Sequence, residues 1–315
     1  MITAPISSIH RFALDDGPGI RTTVFFKGCP LSCVWCHNPE NIGLQPRIRF
    51  RAKLCIDCGA CTSVCPSATV GTHSRPPAPA ADCRACGACA DACPSSALSV
   101  VGRTYTVDNL VDILLRDAPL YRSSGGGVTF SGGEPGLFIP FIHEVCTRLK
   151  QARISTAMQT AGAFSHQSFA HHLAGLLDIV YFDLKLFDTE THRKYTGIDN
   201  RHIISTFAAL AHDPRFTLIA TIPLIPEITA TKHNLRAIAS FLKACGVFRY
   251  ELRGYFPGGT AKREALGIAP EVRLPDCAMP PEQVEHFRRL MREFMREGSP
   301  DIAAGHSIET ADTTT

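Results

Sequence analysis

Three cysteines stand close together in KGCPLSCVWCHNPE, residues 27–40: Cys29, Cys33 and Cys36. Thiolates are soft ligands that suit zinc and iron–sulfur clusters. A structural zinc site or a protein-saturated cubane takes four ligands, and the next cysteine is as far off as Cys55. The C-x3-C-x2-C loop therefore gives three thiolates to a four-iron cubane and leaves one iron without a protein ligand. An open coordination position separates a catalytic metal site from a structural one. A substrate or cosubstrate with nitrogen and oxygen donors can bind there.

Of the fourteen cysteines, eleven fall within residues 29–93. Residues 55–70, CIDCGACTSVCPSATV, and 83–98, CRACGACADACPSSAL, form an internal repeat with a period of 28 residues. Each copy reads C-x2-C-x2-C-x3-C-P. That is the spacing of bacterial two-cluster ferredoxins, in which the fourth cysteine of each run ligates the other cluster. It assigns Cys55, Cys58, Cys61 and Cys93 to one [4Fe–4S] cluster, and Cys83, Cys86, Cys89 and Cys65 to the other. A pair of zinc sites is the alternative. Gly59 and Gly87 let the backbone turn tightly around a cluster, and Pro66 and Pro94 end the runs. A Pro/Ala-rich loop, GTHSRPPAPAAD (71–82), separates the copies. Residues 47–103 read as an inserted ferredoxin-like α+β module.

Outside this module, strands and helices alternate. RTTVFFKGC (21–29), GVTFSGG (127–133), ISTAMQT (154–160), DIVYFDLKLF (178–187), FTLIATIPLI (216–225) and VFRYELRGYF (247–256) are β-branched and aromatic, as buried parallel strands are. Helices are predicted near 107–116, over 137–150 (Phe138, Phe141, Ile142, Val145, Leu149) and over 231–245 (Leu235, Ile238, Leu242), with Gly246 as a stop. Pro281 opens a last helix carrying Val284, Phe287, Leu290, Met291 and Phe294. Cys146 and Cys245 fall on apolar helix faces and read as small buried hydrophobes. The small, polar tail 298–315 is expected to be disordered.

Such alternation implies an α/β barrel or an open doubly wound sheet, with chemistry at the carboxyl ends of the strands. Cys29, the Gly132–Gly133–Glu134 run, Gln159 with Thr160, Asp183 with Lys185, and Arg253 through Phe256 all stand at such ends. Asp183 and Lys185 share a face, with Leu184 opposite. They can contact a bound cosubstrate or form a structural ion pair in the barrel mouth.

The 315 residues are 45% apolar with a net charge of +3. No dense Lys/Arg tract invites nucleic acid, and no apolar run approaches the roughly 20 residues of a membrane span. The N-terminus lacks the apolar stretch of a secretory signal, so closely spaced cysteines point to metal and not disulfides. A cytoplasmic protein is expected.

DDGPGIRTTVFFKGCPLSCVWCHNPEN, GGGVTFSGGEP, YFDLK and HRKYTGIDN resemble the glycyl-radical-enzyme activating proteins, the pyruvate formate-lyase activase-like radical S-adenosylmethionine (SAM) family. The resemblance runs from about Ile9 to at least Tyr250. It implies a partial (β/α)6 barrel over residues 1–46 and 104–297. It implies three [4Fe–4S] clusters, and SAM chelated to the open iron of the Cys29–Cys33–Cys36 cluster. One-electron cleavage of SAM then gives methionine and a 5′-deoxyadenosyl radical, which removes hydrogen from a glycine of a partner glycyl radical enzyme. Gly132 and Gly133 are expected to let the backbone approach the SAM methionyl group. Glu134 is a local acceptor. Lys185 would pair with the SAM carboxylate, and Asp183 with its ammonium or ribose side. Trp35, Cys36 and His37 would contact adenine, or His37 would cap the loop. Asp16 of the Gly-Pro turn is a candidate partner contact.

Two positions depart from that family's run. Gln159 stands where relatives carry the aspartate of a monovalent cation site, so a cation there is doubtful. Phe256 stands where relatives carry a SAM-contacting histidine; ring stacking or Arg253 would have to substitute. The expected electron donor is a flavodoxin or ferredoxin, and the protein is expected to be a monomer. The insert would relay electrons or serve structure and docking. The rivals are another radical SAM enzyme acting on a peptide or small molecule, and an electron carrier.

Overall fold

The computed structural model describes residues 2–67, 83–266, 268 and 272–297. Both the Pro/Ala-rich loop 71–82 and the tail expected to be disordered lie outside the described residues. Within them the strands are β1 Thr3–Ala13, β2 Arg21–Phe26, β3 Arg47–Phe50, β4 Leu98–Val101, β5 Arg103–Thr106, β6 Gly127–Gly132, β7 Ser155–Thr160, β8 Ile179–Asp183, β9 Thr217–Leu224 and β10 Tyr250–Gly254.

One sheet runs in the order β10-β9-β8-β7-β6-β2-β1-β5. The six strands β2 and β6 to β10 are parallel throughout. Their order follows the chain without reversal. A doubly wound sheet would reverse at a switch point, so this is winding of the partial-barrel type. β1 and β5 extend the sheet in antiparallel register on the β2 side. β3 and β4 pair antiparallel in a separate two-stranded sheet.

Each predicted parallel strand is present, generally shortened by one to a few residues. The largest trims are at 178–187, where β8 stops at Asp183, and at 247–256, where β10 covers only Tyr250–Gly254. The period of two divides each strand between two environments. Val24, Phe26, Val128, Phe130, Met158, Val180, Phe182, Ala220, Ile222 and Leu252 join the main core. The other face carries Arg21, Thr23, Thr129, Ser131, Gln159, Asp183 and Thr221. This inner face is polar, not continuously apolar, and supplies short hydrogen-bonding groups to the barrel interior.

The helix Ile139–Gln151 buries Phe141, Ile142, Val145, Cys146 and Leu149; full burial of a large apolar side chain stabilises by about 1.5–3 kcal/mol. Lys232–Ala244 starts at Thr231, whose hydroxyl accepts from the Asn234 amide, and buries Leu235, Ile238 and Leu242. Gly246 follows it at φ +66. Pro281–Arg296 buries Met291, Phe294 and Met295. Cys146 and Cys245 are buried. The sequence pattern missed β1, the helix Thr189–Thr196 and the helix Gly258–Ala265. Among the described residues, no helix is long and apolar enough to cross a membrane.

Candidate active site

The Cys29–Cys36 loop leaves the end of β2 and is gripped from several sides. Ser32 and Val34 amides donate to Thr196 O and Tyr195 O at 2.8 and 3.0 Å. Gly197 ends the helix Thr189–Thr196 at φ +86, and a Cβ there would lie 2.5 Å from Ser32 Oγ. The YTG of HRKYTGIDN thus seats the cysteine loop. On the far side, Arg263 Nη2 donates to Cys33 O at 2.7 Å, and Lys262 Nζ donates to Asn38 Oδ1 at 2.6 Å. A Cβ on Gly259 would stand 2.3 Å from Cys36 O. The helix Gly258–Ala265 therefore packs directly on the loop. Its sequence, GGTAKREA, has no apolar period to announce it.

Cys33 is 7% exposed, and Cys29 and Cys36 are half-buried. Burial pushes the Cys33 thiol up to about 12, against the opposing pull of Lys185. Burial pushes Cys29 and Cys36 up as well. The bare loop holds protons on sulfur at neutral pH, and iron must displace them. Three soft sulfurs on one short loop, with a cation behind Cys33, fit a cluster with one iron lacking a protein ligand.

That cation is Lys185. Its Nζ donates to Asp183 Oδ2 at 2.6 Å, and the Lys185 side chain is 10% exposed. Burial opposes the charge on Lys185, but Asp183 together with the Cys33 and Cys29 sulfurs raises the pKa. Burial likewise opposes charge on Asp183, but Lys185, with Thr221 and Arg253, holds it below the usual carboxylate range. Thr221 Oγ1 also donates to Asp183. Leu184 points away into the core at 3% exposure, and its amide donates to Thr221 O at 2.8 Å.

Gly132 and Gly133 lie against the chain's own backbone. A Cβ on Gly132 (φ +105) would lie 2.5 Å from Phe26 N, and one on Gly133 2.1 Å from Gly28 O. Both glycines make room for the chain's own backbone. The Gly133 and Glu134 amides donate to Phe26 O and Gly28 O at 2.8 and 2.7 Å, tying β6 to the start of the cysteine loop. Glu134 is fully buried. Its carboxylate accepts from Gly136 N, Thr160 Oγ1 and Ala161 N, which clasps the ends of β6 and β7. Burial raises its pKa in spite of those donors.

Gln159 is engaged within the protein. Its Oε1 accepts from Ser131 Oγ at 2.6 Å, and its Nε2 donates to Asp16 Oδ1 at 2.9 Å. Its amide oxygen thus serves a hydroxyl. Asp16 also accepts from Thr23 Oγ1, so the Gly-Pro turn is laced to the inner face of the sheet. Arg21, which sequence reasoning did not single out, is fully buried. It donates to Thr129 Oγ1 at 2.6 Å, Val128 O at 2.7 Å and Pro18 O at 3.3 Å, fixing that turn from beneath.

Trp35 and Cys36 line a pocket with Tyr255, Phe256, Arg263 and Leu274. His37 meets the Phe256 ring edge-on at 5.7 Å, and Phe256 is 61% exposed. Arg253 lies over the Tyr181 ring and pairs with Glu251 at 3.3 Å.

In the insert, Gly59 and Gly87 are left-handed at φ +70 and +90. Cys89 lies within electrostatic range of Cys65, Cys83 and Cys86, the grouping that exchange of fourth ligands requires. Cys89 and Leu98 form a small core with Cys61, Cys65, Cys93, Ile48 and Phe50 around them.

Residues 47–94 match the 4Fe-4S dicluster domain. The choline trimethylamine-lyase activating enzyme of Oleidesulfovibrio alaskensis is 35% identical over 272 residues, 84% of this chain and 87% of that one. The isethionate sulfite-lyase activating enzyme of Desulfovibrio desulfuricans is 36% identical, over 83% of this chain and 86% of its own. This chain belongs to the glycyl radical enzyme activating enzymes. These are radical SAM oxidoreductases that act on a partner glycyl radical enzyme. The benzylsuccinate synthase activating enzyme of Thauera aromatica is 35% identical, over 84% and 82% of the two chains. A radical SAM methyltransferase of Sphaerobacter thermophilus shares the fold, with a TM-score of 0.52 and 13% identity over 92% of this chain and 75% of that one.

Proposed function

We propose that this activating enzyme carries three [4Fe–4S] clusters, with Cys29, Cys33 and Cys36 holding the one that binds SAM. When bound, that cluster supplies the electron that splits the SAM sulfonium bond and so generates the radical that takes hydrogen from the partner's glycine. Lys185 meets the SAM carboxylate, and Asp183 meets its ammonium or ribose side. The pair is already charged and mutually oriented, so little reorganisation accompanies binding. Trp35, Cys36 and His37 flank the adenine, with Phe256 packed on His37 in place of a hydrogen-bonding side chain.

Gly132, Gly133, Glu134 and Leu184 act through position. The first three hold the cysteine loop against β6 and β7, and Leu184 anchors the Asp183–Lys185 face to the core. Residues 1–46 and 104–297 are the barrel unit and 47–103 the two-cluster insert. The insert sets pair Cys55, Cys58 and Cys61 with Cys93, and Cys83, Cys86 and Cys89 with Cys65. A flavodoxin or ferredoxin donates electrons to a monomeric, cytoplasmic enzyme.

The observation that carries this reading is the seating of a three-cysteine loop beside a half-buried Lys185–Asp183 pair, in a chain 35% identical to an activating enzyme over 84% of its length. Incubating the reduced protein with SAM and a candidate partner tests it. A glycine-centred doublet in the electron paramagnetic resonance spectrum of the partner is expected. SAM consumption with no protein radical on any partner would overturn it in favour of another radical SAM reaction.

A further inference from the structure

The chain's charge is concentrated. Residues 47–103 hold seven Lys and Arg against three Asp and Glu, a net of +4 in a chain whose total is +3, so the remainder is −1. Strand β3 and the segment after it organise that charge. Ile48 and Phe50 pack on the small core of Cys89 and Leu98, and alternation sends the half-buried Arg47 and Arg49 to the other face, away from that core. Arg51 and Lys53 follow, and every residue from Arg51 through Gly59 is exposed. Arg49 and Arg51 each spend a donor on a neutral oxygen, Ser99 Oγ at 3.3 Å and Ser96 O at 3.0 Å.

This segment also displays apolar surface. Leu54 and Ile56 are 41% and 65% exposed, on either side of exposed Cys55. Cys58, also exposed, is two residues further on. An apolar centre with a cationic rim is the anatomy of a transient protein interface, where charge steers encounter and apolar contact holds it. A small anion would leave Leu54 and Ile56 without a role.

We propose that Arg51–Gly59, with Arg51 and Lys53 as its cationic rim, is the docking surface for an acidic one-electron carrier protein. The proposal rests on reading the insert as a two-cluster module. Docking here sets the carrier's cofactor against the ligands of the more exposed cluster. One electron leaves the reduced carrier, which is oxidised, and a [4Fe–4S]2+ cluster becomes [4Fe–4S]+; no bond breaks. The glycyl radical enzyme has a separate requirement, because its glycine must reach the cysteine loop at the strand ends.

Stopped-flow reduction of the reconstituted holoenzyme by a reduced flavodoxin of strongly negative net charge tests the surface. For the native protein, the second-order rate constant should fall steeply with ionic strength. The double variant Arg51→Glu/Lys53→Glu should lose on the order of tenfold at low salt and show a flattened salt dependence. Arg51→Gln/Lys53→Gln should fall between the two. Iron content should stay unchanged in both variants, as should the rate of reduction by photoreduced deazaflavin, a small neutral donor. Unchanged flavodoxin kinetics in the charge-reversed variant would overturn the proposal. So would an equal loss with deazaflavin, or a loss confined to glycyl radical formation on the partner enzyme. Failure of the underlying reading looks different: iron near four per chain in the native protein would remove the insert clusters themselves.

Discussion

The loop carrying Cys29, Cys33 and Cys36 accepts or donates hydrogen bonds with the Thr189–Thr196 helix and with the Gly258–Ala265 helix, while β6 closes on the preceding Gly28. The first insert run keeps its shape by local bonds, Cys55 N to Ala52 O and Thr62 N to Gly59 O, both at 3.0 Å. One region shelters its thiols, and Cys33 is 7% exposed; the other leaves Cys55 and Cys58 exposed. The difference follows from what each must do. Under the proposed roles, a loop that would leave one iron open to SAM has reason to exclude water and sit beside the Lys185–Asp183 pair. A run whose cluster would have all its protein ligands has no such need, and in the proposed electron-accepting role it can face a partner.

The widest separation between the two regions comes from their cysteines. Cys33→Ala should abolish SAM cleavage, read as loss of 5′-deoxyadenosine, while the insert retains about eight irons per chain. Cleavage surviving in that variant would erase the distinction. Lys185→Met leaves Asp183 without its cation. It should weaken SAM binding roughly 10- to 100-fold, as expected for losing a charge-assisted hydrogen bond, measured by titrating SAM into the reduced protein.

Gly133→Ala pushes a methyl group against Gly28 O. It should cost about 1–3 kcal/mol of stability, seen in chemical denaturation, and lower occupancy of the SAM cluster more than that of the insert. Cys58→Ala should reduce iron content yet leave SAM cleavage by a strong artificial reductant largely intact. Collapse of both would make the insert structural to the whole fold.

The smallest effect concerns acid stability of the barrel. Arg11 donates to Asp117, and this hydrogen bond holds the carboxyl below its usual range despite burial. A depressed folded-state pKa contributes stability that is full above about pH 4 and is lost as pH falls through the folded value. Asp117→Asn should therefore lower stability at neutral pH and flatten the acid limb of the denaturation profile.

Strand positions and strand-end residues were legible because buried parallel strands carry a local signature. The cysteine runs were legible because ligand spacing is itself sequence-local. The grip on the catalytic loop was not. Arg263 and Cys33 are 230 positions apart, and the helix that carries Arg263 buries almost nothing apolar. The Gly132–Gly133 pair illustrates the same limit. Sequence says that a Cβ would clash there, but only the fold identifies the neighbour as Phe26 and Gly28. Gln159 likewise gains its partners, Ser131 and Asp16, only in the fold.

The account depends on one iron of the Cys29–Cys33–Cys36 cluster being free to bind SAM. Electron–nuclear double resonance on the reduced protein, with SAM labelled by 15N in its amino group, tests this directly. A nitrogen hyperfine coupling to the cluster is expected, absent in Cys33→Ala. A spectrum that shows no coupling and does not change on adding SAM would contradict it.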